Sequence, residues 1–147
     1  MRYLIYVIGM VFCMIYGISL HKICNFIDTI SFGFVVVPSI LALITTGYWK
    51  DFLKAFVYIF NKGRETKERV RESAKAVKLV CISSLIFGGL GVTISLINAL
   101  HGLNLKASHV GADISVALIS IFYALMINAI LLPLYFELKR RDTKNSK

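Results

Sequence analysis

ISVALISIFYALMINAILLPLYF, residues 114–136, is an uncharged run of 23 residues, longer than the roughly 20 apolar residues that a helix needs to cross a bilayer. The run predicts a membrane-spanning helix. Within it Ala117, Ser120, Ala124 and Asn128 recur at spacings of three and four, which places them on one face of a helix among bulky apolar neighbours. Such a stripe faces something other than lipid. Residues 79–100 repeat the pattern with Ser84, Gly88, Gly91, Ser95 and Asn98, and with Thr93 beside them. Two such helices side by side form a narrow groove of hydroxyls, carboxamides and bare backbone. The groove has two readings. Small and polar residues let membrane helices approach and hydrogen-bond, or they line a pore or a partner's seat.

The rest of the chain sets the context for these two runs. Hydrophobic residues make up 57% of 147 and the mean hydropathy is +0.73, too apolar for an ordinary soluble domain. Uncharged runs fall at residues 3–20, 29–49, 79–100 and 114–136, predicting four spans and a single all-α membrane domain over 1–147. The first run exceeds the core of a secretory signal and no small-residue cleavage site follows it, so it reads as a span. The formal net charge of +9 is distributed unevenly: 15 of the 17 Lys and Arg residues lie at the N-terminus, between spans two and three, or in the tail. By the positive-inside rule both termini and that loop are cytoplasmic, as in a multi-pass protein of a cytoplasmic membrane. Topology accounts for the charge, so nucleic acid is not an expected partner; the lipid bilayer is.

Asp28 and Asp113 stand before spans two and four, where a carboxylate caps free N–H groups and offsets the helix dipole, or marks an ion-attracting mouth. Pro38 lies in the middle of span two and is a candidate hinge or kink. After Trp49 the residues Phe52, Phe56 and Phe60 keep a four-residue spacing, predicting that the helix continues into the cytoplasm with one apolar face and breaks at Asn61, Lys62 and Gly63. From Arg64 the helix-forming sequence RETKERVRESAKAVK is expected to run into span three, so that helices two and three extend as a cytoplasmic stalk over residues 50–78. The tail, 137–147, ends in DTKNSK, which reads as disordered.

Cys13, Cys24 and Cys81 lack paired spacing, and His101 and His109 lack ligand company, so no disulfide framework, metal site or cofactor is expected. No nucleophile elbow or phosphate loop is present, which argues against an enzyme. No span contains a carboxylate. Proton transfer across a membrane normally needs an ionisable group partway through, so if this chain conducts, the titrating residue belongs to another polypeptide.

Several segments resemble MotA-type members of the MotA/TolQ/ExbB proton channel family. NFIDTISFGFVVVPSILA (25–42) followed by WKDFLKAF (49–56) is similar to the family's second span, GVTISLINAL (91–100) to its third, and VALISIFY (116–123) with NAILLP (128–133) to its fourth. The resemblance departs from the pattern at Val92 and Ser95, where Thr and Gly are usual, and in a cytoplasmic region of only 29 residues, short for a flagellar torque unit. It implies a homo-oligomeric ring, usually a pentamer, around a MotB/ExbD-like pair of single-span partner helices that supply an ion-carrying aspartate. It further implies that spans three and four line the central channel. The leading expectation is therefore a channel-forming ring subunit of an ion-driven, stator-like motor. Ser84, Gly88, Gly91, Thr93, Ser95, Asn98, Ala117, Ser120, Ala124 and Asn128 then line the channel or face the partner. The rival is a non-conducting membrane scaffold whose stripes only pack helices; a small-solute transporter is disfavoured by the lack of an inverted repeat or a charged midplane site.

Overall fold

The computed structural model describes residues 3, 5–10, 12, 28–60, 67–102 and 110–144. Four long helices follow one another, α1 (Thr29–Thr45), α2 (Trp49–Phe60), α3 (Lys67–Gly102) and α4 (Val110–Lys144), and residues 5–10 are helical as well. No strand occurs among the described residues. α3 and α4 are each long and apolar enough to cross a membrane, and α1 with α2 would make a third crossing if the bent pair is counted as one. Of the first expected span, residues 13–20 lie outside the described residues.

α1 begins where a carboxylate can receive its free N–H groups. The Asp28 side chain accepts from Ile30 N–H at 3.2 Å and from the Ser31 hydroxyl, the cap expected of that residue. The helix runs through Pro38 as one element, so the proline is not where the chain turns. The turn comes at Thr46–Tyr48. There the Thr45 and Thr46 hydroxyls donate back to Leu41 O at 2.7 Å and Ala42 O at 2.6 Å. Gly47 takes a φ of +75°, a left-handed conformation that glycine adopts without steric cost. α2 then leaves at 104° to α1. The expected unbroken run of span two into the cytoplasm is thus replaced by a sharp corner, and the break expected at 61–63 lies outside the described residues.

α3 has 36 residues and α4 has 35, each about 53 Å long at a rise of 1.5 Å per residue, well beyond the roughly 30 Å of a hydrocarbon core. They pack antiparallel along their whole length. Ser84 meets Asn128, Gly88 meets Ala124, and Gly91 meets Ser120, so the partners step in opposite directions through the bundle. The charged half of α3 therefore has α4 beside it, not an extended span two: Val70, Ala74 and Val77 share one core with Leu131, Leu134 and Leu138. The stalk is built from α3 and α4, with α2 laid across it. α4 also remains helical through Lys144, so the first half of the DTKNSK segment expected to be disordered is helical, and residues 145–147 lie outside the described residues.

The apolar core sits at this lysine-rich end. Leu43 from α1, and Ala55 and Tyr58 from α2, join the α3 and α4 residues there, and Leu134 and Leu138 are wholly buried. Arg141 Nη1 donates to Tyr58 O at 2.6 Å, tying the end of α2 to α4. Tyr3 Oη donates to Ile130 O at 3.1 Å, tying the start of the chain to the same region. Pro133 lies three residues on, and the N–H that it lacks leaves the Ala129 carbonyl without its helical donor.

Candidate functional site

Toward the far end of the bundle the seam between α3 and α4 changes from large aliphatic side chains to small and hydroxylated ones. Asn128 Nδ2 donates to Ser84 Oγ at 2.8 Å and to Ala124 O at 2.9 Å, while Ser84 Oγ donates to Cys81 O at 3.0 Å. Both side chains are buried. An amide and a hydroxyl shared between two helices in an apolar medium fix their register, because separating them would strand polar groups in hydrocarbon. One turn further on, Gly88 lies so close to Ala124 that no side chain fits between them, and a Cβ at Gly91 would stand 3.0 Å from Ser120 Oγ. Ala117 and Ser95 are buried as well.

Most of the expected channel-facing set is therefore turned into this seam within one chain. Ser84, Gly88, Ala117, Ala124 and Asn128 are buried in the single chain, with Ser84 against Asn128 and Gly88 against Ala124 across the seam. Thr93 and Asn98 are exposed; the Thr93 hydroxyl donates to its own helix at Gly89 O, 3.0 Å away. Asp113 lies inside the first turn of α4, not at the cap position, which still suits the positive end of the helix.

Gly91, Ser95, Asn98 and Ser120 come together at the far end of the seam with Ser31 of α1, lining an open groove of about 200 Å³. Three helices supply hydroxyls to this groove and one supplies a carboxamide. Ser31 is held toward Asp28, and the Asp28 N–H donates to the Tyr123 hydroxyl at 3.2 Å, so α1 is anchored to α4 beside the groove. A larger groove of about 320 Å³ runs along α1 and α4 between Phe32 and Trp49 and is lined almost wholly by hydrocarbon. Its one hydroxyl, that of Ser39, is committed to Val35 O at 2.9 Å. The smaller groove is the one with several polar side chains at its wall, set among Ile30, Phe34, Ile94 and Val116, and its Ser120 hydroxyl likewise donates to its own helix at Val116 O, 3.0 Å away.

Ser31 and Tyr123 were not singled out from sequence. Ser31 follows the Asp28 cap by three residues, within local reach of its carboxylate, whereas the reach of Tyr123 to Asp28 spans 95 residues and has no local signal. Among the described residues no three His, Cys, Asp or Glu side chains gather as metal ligands.

Residues 58–147 match the family model for the MotA/TolQ/ExbB proton channel family. The chain belongs to that family. The match takes in α3, α4 and the seam between them. Neither the curated proteins nor the solved structures provide a match to the chain.

Proposed function

We propose that the chain is a channel-forming, non-enzymatic subunit of a ring, with several copies enclosing single-span partner helices that carry the aspartate needed for ion transfer. The observation that carries this reading is the groove in which Ser31, Ser95, Asn98 and Ser120 converge at the end of an otherwise apolar bundle. In a family of proton channels whose spans here hold no carboxylate, hydroxyl and amide groups serve as transient contacts for water or a passing ion, and the charged station is supplied by the partner. Asn98, exposed on α3 at the wall of the groove, is the side chain that meets the partner helix. The seam beneath it holds the two helices rigid, so that the lining keeps its shape while the partner moves.

The test separates lining from packing. Asn98→Leu alters an exposed side chain and is expected to abolish ion-dependent function while the complex with its partner still assembles. Full function in Asn98→Leu would remove the groove from the conduction path.

The burial of Ser84, Gly88, Ala124 and Asn128 between two helices of one chain favours a second reading, a non-conducting scaffold. An adjacent gene for a short protein with one aspartate-bearing span supports the channel, and its absence supports the scaffold.

A further inference from the structure

We propose that α2 is an interfacial helix. It lies along the bilayer surface at the lysine-rich end of the molecule, with Trp49, Leu53 and Val57 inserted among anionic phospholipids. The corner at Gly47 turns α2 through 104° from α1, so a helix that follows a crossing segment runs across the bundle instead of along it. Its depth is set by its contacts. Trp49 and Phe52, in its first turn, line one groove with Val80 of α3 and Leu131 of α4, and Tyr58, near its end, receives Arg141 of α4. Val80 stands at the start of the uncharged run that begins at Leu79, and Arg141 shortly after the one that ends at Phe136. α2 is therefore level with the boundary between hydrocarbon and headgroups.

Around its circumference α2 has three sectors. Ala55 and Tyr58 are buried in the core. Trp49, Leu53 and Val57, four residues apart on the opposite side, are 39%, 51% and 54% exposed. Lys50 and Lys54 come next to that row, with Lys50 exposed and Lys54 3.6 Å from Asp51. An apolar row flanked by lysines on a helix lying flat is the arrangement that binds a lipid interface, and tryptophan favours that depth. The row is continuous with lipid-facing surface, because Trp49 also forms one end of the hydrocarbon-lined groove along α1 and α4. The neighbouring basic residues of α3 and α4 add positive charge at the same level, which matches anionic headgroups.

Trp49 is the single tryptophan of the chain, so the fluorescence of the intact protein reports on α2 alone. In vesicles of phosphatidylcholine and phosphatidylglycerol, Trp49 is expected to be quenched at least twofold more by lipids brominated near the carbonyl end of the acyl chain than by lipids brominated near its terminus, with little quenching by aqueous iodide. At equal mole fraction, brominated phosphatidylglycerol is expected to quench more than brominated phosphatidylcholine, an excess that Lys50→Gln reduces. Leu53→Asp with Val57→Asp, both on the free face, is expected to expose Trp49 to iodide with helicity unchanged. Strong iodide quenching of the natural protein would overturn the proposal, and so would shielding of Trp49 from both quenchers, since a second protein copy would then cover the row. Equal quenching by the two brominated lipids would overturn the anionic preference.

Discussion

A methyl group added at Gly88 would collide with the Ala124 Cβ, whereas one added at the neighbouring Gly89 would meet nothing within 4 Å. The two glycines are adjacent in sequence and opposite in consequence. Gly88→Ala is expected to cost about 1–3 kcal/mol through overpacking of the α3–α4 seam. Gly89→Ala is expected to be neutral or stabilising by up to about 1 kcal/mol, since alanine favours helix. Thermal unfolding of the two variants in the same detergent checks both. Ser120→Leu would act like Gly88→Ala, because Ser120 lies against Gly91, so its effect on transport would not isolate conduction. The three- and four-residue spacing of these residues was legible in sequence, and it located the stripe correctly. What covered the stripe was not, because periodicity defines a face but not its neighbour. The same gap separates Asn98, left open, from Asn128, closed in, although both carry the same side chain on similar helices.

Among the elements, α2 shows how a strong pattern can hide a corner. Phe52, Phe56 and Phe60 continue the apolar spacing of span two beyond Trp49, so the run reads as one helix, yet Thr45, Thr46 and Gly47 together form a helix-ending signal. Tertiary packing of Ala55 and Tyr58 against α3 and α4 decides between the two. Gly47→Ala is expected to destabilise the protein by about 1–2 kcal/mol, the cost of a left-handed conformation for a residue with a Cβ. Its Cβ would have open space, so the loss arises from the backbone alone, and Gly47→Asn is expected to lose less. Denaturation midpoints of the two variants check this.

In the stalk, the hydrogen bond from Lys75 at 2.8 Å holds the Glu72 carboxyl below its ordinary value, with Tyr48 contributing less. A lowered folded value means that the ionised form is favoured by folding. Its contribution is present above the ordinary carboxyl value of 4.5 and is lost as pH falls through the lowered one. Glu72→Gln is expected to flatten the acid limb of the stability profile in that window and to leave stability between pH 7 and 8 little changed, since an exposed pair contributes little. A set of unfolding curves across the acid range checks the sign.

For the molecule as a whole, hydropathy and charge were enough to read an all-helical membrane protein, because both are properties of long runs, while the family was reached through the resemblance of short motifs in spans two to four. The construction of the stalk was not legible. Sequence adjacency suggested that spans two and three continue together, while the antiparallel register of α3 and α4, fixed by contacts such as Ser84 with Asn128, brings the end of the chain back alongside the start of α3. The result is one rigid pair of helices about 53 Å long with a polar groove at one end and a basic stalk at the other, against which α1 and α2 lean. Exposed Leu, Ile and Phe side chains along α1, α3 and α4 are left for lipid and, in the proposed ring, for neighbouring copies. The native mass of the detergent-extracted protein, measured with and without the proposed single-span partner, tests the proposed ring most directly. The expected result is a defined multiple of this 16.5 kDa chain that takes up a smaller number of partner chains. A stable monomer that gains nothing from the partner would contradict it.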